Sequence, residues 1–196
     1  MCIRDRLQLG VIVLETGAGP VAVVLERDDS GRIVFGRMEQ PLPEVRPVAD
    51  TEAVLAALGA ASAVAPVELY DNGATHILVA VSSEDDVAAL APDRSAIAAL
   101  GVTGVSCFAG SGSTWTTRMF WPGGEDAATG SAAGPLACHL CRHGLVPWGT
   151  ELEISQGAAI GRPSTLYARA EGAGATIERV EVGGSAVVVA RGEFRL

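Results

Sequence analysis

Aromatic side chains are scarce in this chain: phenylalanine, tryptophan and tyrosine make up 5% of its 196 residues, against 48% hydrophobic residues in all. A core of this composition must be assembled from alanine, valine and leucine. Basic residues are short as well. Fourteen lysines and arginines against 23 aspartates and glutamates leave a formal charge of −9, which argues against nucleic acid as a partner, since a binder needs a basic stripe. A small anionic substrate remains compatible, because a local site can oppose the global field. No apolar run approaches the ~18 uninterrupted residues of a membrane span, so no membrane contact is expected. The start carries Arg4, Asp5 and Arg6 with no apolar stretch behind them, unlike a secretory signal. The expectation is a cytoplasmic protein whose four cysteines, Cys2, Cys107, Cys138 and Cys141, are reduced.

Regular patterning begins at Leu7, and the first six residues do not share it. Three β-rich runs follow, at 9–16, 20–27 and 31–38. They are split by Thr16-Gly17-Ala18-Gly19 and Asp28-Asp29-Ser30-Gly31, which read as hairpin turns of an antiparallel meander. Three strands alone do not close a core. Residues 40–47 hold three prolines and no apolar period, so they read as a linker. Asp50 or Thr51 then caps a helix ending at Leu58. Strands at 67–70 and 76–81 flank the turn Asp71-Asn72-Gly73. Ser83 caps a helix with Glu84, Asp85 and Asp86 in its first turn, where acids suit the dipole. A second short helix is expected near 94–100. Strands at 102–108 and 116–121 are separated by a flexible Gly110-Ser111-Gly112-Ser113, and the tail is β again at 151–155, 165–170, 177–182 and 186–196. The order is strands, one buried helix, then strands, with no βαβ repetition. That is an α+β pattern in which a curved, mostly antiparallel sheet wraps a central helix.

The central stretch is Gly123-Gly124-Glu125-Asp126-Ala127-Ala128-Thr129-Gly130-Ser131-Ala132-Ala133-Gly134-Pro135-Leu136-Ala137. Two acids sit in a glycine-rich turn, and small residues open a helix of about 131–143 directly behind them. Small apolar side chains on nearly every face mark the helix as buried all round, and Gly144 is its stop. Its N-terminus presents free N–H groups and the positive end of a dipole, worth roughly 0.3–2 kcal/mol to an anion such as a substrate carboxylate. Asp126 stands five residues before Ser131, at the lip of the same site.

The run from Glu125 to Ala137 closely resembles the signature E-D-P-A-T-G-S-A-A-G-P-L of the PhzF-like (phenazine biosynthesis-like) family, with Ala127 in place of proline. Further agreement lies in Leu14-Glu15-Thr16-Gly17-Ala18-Gly19-Pro20-Val21, Arg118-Met119-Phe120, Arg142-His143-Gly144-Leu145, Gln156-Gly157, Gly161-Arg162-Pro163-Ser164 and Val182-Gly183-Gly184. The resemblance implies a fold like diaminopimelate epimerase, with two similar domains that each wrap a sheet around a helix and a site in the cleft between them. It also implies a proton shift within a small carboxylate-bearing metabolite, with no cofactor and no metal, in a cytoplasmic homodimer. Carried onto this chain, it makes Asp126 the catalytic acid of the cleft and Ser131 the holder of the substrate carboxylate. Gly130 and Ala132 offer backbone N–H groups to the same anion, and Gly73 borders the cleft. The family's base glutamate and its G-H-P-T histidine find no counterpart. On that reading residues 1–43 are the remnant of an N-terminal domain, 44–196 are the C-terminal domain, and the chain is N-terminally truncated and inactive alone.

Each assignment has a plainer alternative. Asp126 could be an ordinary helix-start acid and Ser131 a plain N-cap. Glu125 reads as a solvated neighbour or a hinge acid rather than a base, and Arg118 pairs either with a substrate or, the plainer reading, with Glu125. Cys138 and Cys141, with His139 and His143 nearby, suggest metal only until the faces are counted, because sulfur and imidazole fall on different sides of the helix; packing is the expected role. Trp115 and Trp148 fill the sheet ends, and Trp121 lies close enough to the acidic turn to line the cleft. The alternative to an isomerase is a non-catalytic module that binds an anion at Gly130–Ala132 or dimerises through the meander.

Overall fold

The computed structural model describes residues 10–17, 19–185 and 192. Twelve strands form one sheet: β1 (Val11–Thr16), β2 (Gly19–Arg27), β3 (Ile33–Glu39), β4 (Glu44–Pro47), β5 (Glu68–Asp71), β6 (Thr75–Ala80), β7 (Gly104–Ser111), β8 (Thr114–Trp121), β9 (Gly124–Asp126), β10 (Leu152–Gln156), β11 (Ser164–Ala173) and β12 (Thr176–Gly184). Among the described residues four α-helices accompany them, α1 (Thr51–Leu58), α2 (Glu84–Ala89), α3 (Arg94–Ala99) and α4 (Gly130–Arg142). The strand order is β1-β2-β3-β12-β11-β10-β8-β7-β6-β5-β4, with β9 paired to β8. The α+β fold with a mostly antiparallel sheet and a central buried helix is therefore as the sequence leads one to expect.

The sheet separates two apolar layers. On one face lies α4, whose residues from Ala132 to Cys141 are all buried. Leu136, Ala137 and Leu140 belong to a cluster with Leu78, Phe108, Trp115, Leu152, Ile154, Ala168, Ala170 and Val180. On the other face α1 to α3 contribute Val54, Leu58, Val87 and Ile97, packed on Ile77, Val79, Val105 and Cys107. The period of two along β6 produces this division, sending Leu78 and Ala80 to one layer and Ile77 and Val79 to the other. Full burial of a leucine such as Leu136 is worth roughly 1.5–3 kcal/mol. The small residues of α4 allow close approach: a Cβ on Gly134 would lie 2.1 Å from Gln40 Oε1 and 2.7 Å from Val180 Cγ1.

Several expectations need correction. Two strand pairs are parallel, β6 with β7 and β8 with β10. The crossovers between them are α2–α3 and α4, so the chain does contain β-helix-β units that spacing alone did not disclose. The proline-rich linker is half strand, because β4 pairs with β5 from Glu44 to Pro47; Pro41 and Pro43 precede the strand, and Pro47 is tolerated because β4 is an edge strand, where one side needs no donor. The acids Glu125 and Asp126 lie not in a turn but on β9, opposite Phe120 and Met119. The glycine-serine stretch is a tight hairpin whose strands pair down to Ser111 and Thr114. The meander continues the same sheet through β3 and β12, which pair Met38 with Val182. The expected first six residues and the strand at 186–196 lie outside the described residues, apart from Gly192, as does Cys2.

Candidate active site

Strand alternation separates the two adjacent acids. Glu125 turns to Arg118, whose Nη2 and Nε reach its carboxylate at 2.7 and 3.0 Å. Asp126 points the other way, to the N-terminus of α4. There Thr129 Oγ1 donates to Asp126 Oδ2 at 2.8 Å. Gln156, at the end of β10, fixes this contact. Its Oε1 accepts from the Thr129 N–H at 3.3 Å, and its Nε2 donates to Thr129 Oγ1 at 2.9 Å and to the Asp126 carbonyl at 2.8 Å. Because the Thr129 oxygen already accepts from Gln156, its own proton is directed to the Asp126 carboxylate.

Thr129 is the N-cap residue of α4, and its hydroxyl is spent on Asp126, so no side chain caps the helix. The Ala132 and Ala133 N–H groups both reach the Thr129 carbonyl, at 3.1 and 3.2 Å. The N–H groups that an anion can meet are thus those of Gly130 and Ser131, while that of Ala132 is already engaged. Pro135 sits inside the helix and has no N–H to give the Ser131 carbonyl four residues back. Asn72, in the β5–β6 turn, supplies that donor, with Nδ2 3.0 Å from Ser131 O. Gln40 Nε2 donates to the Gly130 carbonyl at 2.8 Å. On the side-chain side, His76 Nε2 lies 3.0 Å from Ser131 Oγ. Three residues distant in the chain, His76 on β6, Asn72 in the β5–β6 turn and Gln40 just after β3, therefore hold Gly130 and Ser131.

Gly73 is exposed, with φ +99°, and its N–H is bound to Asp71 Oδ1 at 3.1 Å. The residue of that turn in contact with the helix is Asn72. Trp121 is 46% exposed and lies over Gly123, on the outer side of β9 beside Arg94 and Phe120. Trp115 is buried against Phe108, and Trp148 packs on the same cluster. Gln40, Asn72, His76 and Gln156 were not singled out from the sequence. For His76 a signal existed: it occupies the α4-facing period of β6, just after an Asn-Gly turn.

Burial pushes His76 down from 6.5 to about 4, so it is neutral at pH 7. The folded value lies below the unfolded one, so as pH falls between them the unfolded chain takes up a proton that the folded chain refuses. Stability present above pH 6.5 is lost on the way to pH 4, by about 3 kcal/mol if the full shift is realised. His139 is shifted in the same direction by burial and adds to the trend. Urea unfolding at pH 7 and pH 5 checks this: His76→Gln is expected to lose less stability than the parent by about 2 kcal/mol, and equal losses would remove His76 as a cause.

The far end of α4 holds a separate polar cluster. Glu68, His139 and His143 could offer one carboxylate oxygen and two imidazole nitrogens within 4.8 Å of one another. That same oxygen, Glu68 Oε2, already accepts from Arg142 Nη1 at 2.7 Å and from the Tyr70 hydroxyl at 2.9 Å, with His143 Nε2 also at 2.9 Å. Burial pushes the Glu68 carboxyl up, but hydrogen bonds from His139, His143 and Tyr70 and the Arg142 charge outweigh it and hold it well below the usual range. A guanidinium in the cluster makes it an ion-pair network; a cation would have to displace Arg142. Cys107, Cys138 and Cys141 are buried and unpaired. Burial pushes Cys107 and Cys138 up to about 12 and Cys141 to about 11, so they remain thiols with no nucleophilic role.

A mostly antiparallel sheet packed on one buried helix agrees with the fold of PhzF-family structures. The chain belongs to the phenazine biosynthesis-like (PhzC-PhzF) protein family, whose profile matches residues 2–192. It is 47% identical over 196 residues to the trans-2,3-dihydro-3-hydroxyanthranilate isomerase of Pseudomonas aeruginosa, covering 98% of this chain and 68% of that protein. The isomerase of the same name from Pseudomonas chlororaphis is 45% identical over 188 residues, covering 94% of this chain and 67% of that protein. Among solved structures, a PhzF-family protein from Enterococcus faecalis superposes with a TM-score of 0.63 at 26% identity, covering 97% of this chain and 66% of that one. One from Bacillus anthracis, at 16% identity, shares the fold with a TM-score of 0.76, covering 93% and 69%. The family and its named members make this chain an isomerase. Among the described residues, no helix is long and apolar enough to cross a membrane.

Proposed function

We propose that the chain takes part in moving a proton on trans-2,3-dihydro-3-hydroxyanthranilate or a closely similar small cyclic amino acid, without a cofactor, at the N-terminus of α4. The observation that carries this reading is the pairing of an uncapped helix start at Gly130 and Ser131 with the Asp126 carboxylate held by Thr129. The helix start takes the substrate carboxylate, and Asp126 gives or guides the proton. The other nearby carboxylates are committed, Glu125 to Arg118 and Asp71 to Arg46. The 47% identity to a named isomerase supports the choice of substrate.

The division into a meander unit, 1–43, and a helix-wrapping unit, 44–196, and assembly as a cytoplasmic homodimer belong to the same proposal. Val11, Val13, Leu14 and Val24 of the meander are each between 45 and 60% exposed, which suits a surface that another unit covers. Anthranilate, which carries the same amino and carboxylate groups, is the probe. It is expected to raise the melting temperature of the parent and to do so far less for Ser131→Ala. Equal shifts for the two proteins would remove Ser131 from the anchor. A non-catalytic anion-binding module would give the same shifts with no turnover in any form of the protein.

A further inference from the structure

We infer that His76 is a positioning residue for the carboxylate-anchoring serine, its imidazole holding the Ser131 hydroxyl as a donor aimed at the bound anion. The inference rests on the proposed role of Ser131. His76 is fully buried on β6, with Nε2 3.0 Å from Ser131 Oγ. Its other nitrogen, Nδ1, is buried and has no hydrogen-bond partner among the described residues.

A neutral imidazole has one proton to place. With the proton on Nδ1, an N–H is buried without an acceptor, and Nε2 must accept from the Ser131 hydroxyl. The serine then turns its lone pairs outward, where they repel a carboxylate. With the proton on Nε2, the imidazole donates to Ser131 Oγ, and the hydroxyl proton is free to point at the ligand. Only a bare lone pair on Nδ1 is left unpartnered. A carboxylate at the helix start selects this second arrangement. Because the ring is neutral, its contribution is direction and not charge. Asn72 on the Ser131 carbonyl and Gln40 on the Gly130 carbonyl fix the backbone of the same two residues.

The test combines anthranilate binding, by calorimetry, with the histidine tautomer, by long-range 15N spectra at pH 7. The parent is expected to bind anthranilate and to show His76 protonated on Nε2. His76→Leu should bind about tenfold more weakly. His76→Gln should recover most of the affinity, since its amide nitrogen reaches the place of Nε2. A merely structural histidine would give leucine and glutamine variants alike. If the parent itself fails to bind, the anchor role of Ser131 falls and takes this inference with it. If the parent binds and His76→Leu binds equally well, the inference alone falls. Should His76→Leu not fold, a parent spectrum showing the proton on Nδ1 overturns the inference without any variant.

Discussion

If the proposed isomerisation is assayed in a form of the protein that turns over, Asp126→Asn is expected to lower its rate by about 10²–10⁴-fold, the range for loss of a positioned acid or base. The substitution keeps the shape of the side chain, and an amide oxygen at the Oδ2 position can still accept from the Thr129 hydroxyl. The Gln156 contacts to the Asp126 carbonyl and to Thr129 are unaffected. What the amide loses is the ability to take up and release a proton. Anthranilate binding, which the proposal assigns to Gly130 and Ser131, should therefore remain close to that of the parent. Steady-state kinetics beside a binding titration checks both halves. Turnover at the parental rate would reduce Asp126 to an acid that merely suits the helix dipole.

The largest expected effect on stability comes from Arg118→Met. Arg118 and Glu125 are both half-buried, with side chains 14% and 10% exposed and 2.7 Å between Nη2 and Oε2. Arg118 Nη1 also donates to the carbonyls of Val87, Ala88 and Leu90 at 3.0 to 3.2 Å, which closes the C-terminal end of α2. Removing the guanidinium leaves a half-buried carboxylate without its counter-charge and frees the Ala88 and Leu90 carbonyls, while that of Val87 keeps the Leu90 N–H. The expected loss is about 3–5 kcal/mol, seen as a lower urea midpoint at pH 7. Adding Glu125→Leu to the variant should recover part of it, since no unpaired charge then remains. A single-variant loss below about 1 kcal/mol would mean that water screens the pair as it does at a surface.

The parts of the fold legible in the sequence are those set by local chemistry. Asp50 and Ser83 do cap α1 and α2, and Gly144 has the positive φ of a helix stop. The small residues from Ala132 onward led correctly to a helix buried on all faces. The family motif located Asp126 and Ser131 within one short stretch. What stayed hidden depends on distant pairing. The parallel ladders join strands that the chain separates with helices. The Glu44–Pro47 strand exists only because β5 lies beside it, and its prolines pointed to a linker. Gln40, Asn72 and His76 reach Gly130 and Ser131 across 90, 59 and 55 residues. No local pattern distinguishes such polar residues from ordinary loop or strand positions. Their need becomes visible once Pro135 is seen to deprive the Ser131 carbonyl of its helical donor.

The central claim is that the start of α4 receives the substrate carboxylate. The most direct measurement is a titration of 15N-labelled protein with anthranilate, followed at the backbone amides. The largest shifts are expected on Gly130 and Ser131, with smaller ones at their neighbours Asn72 and Thr129. Shifts centred elsewhere, for instance on the Glu68–Arg142 cluster at the opposite end of the helix, would contradict it.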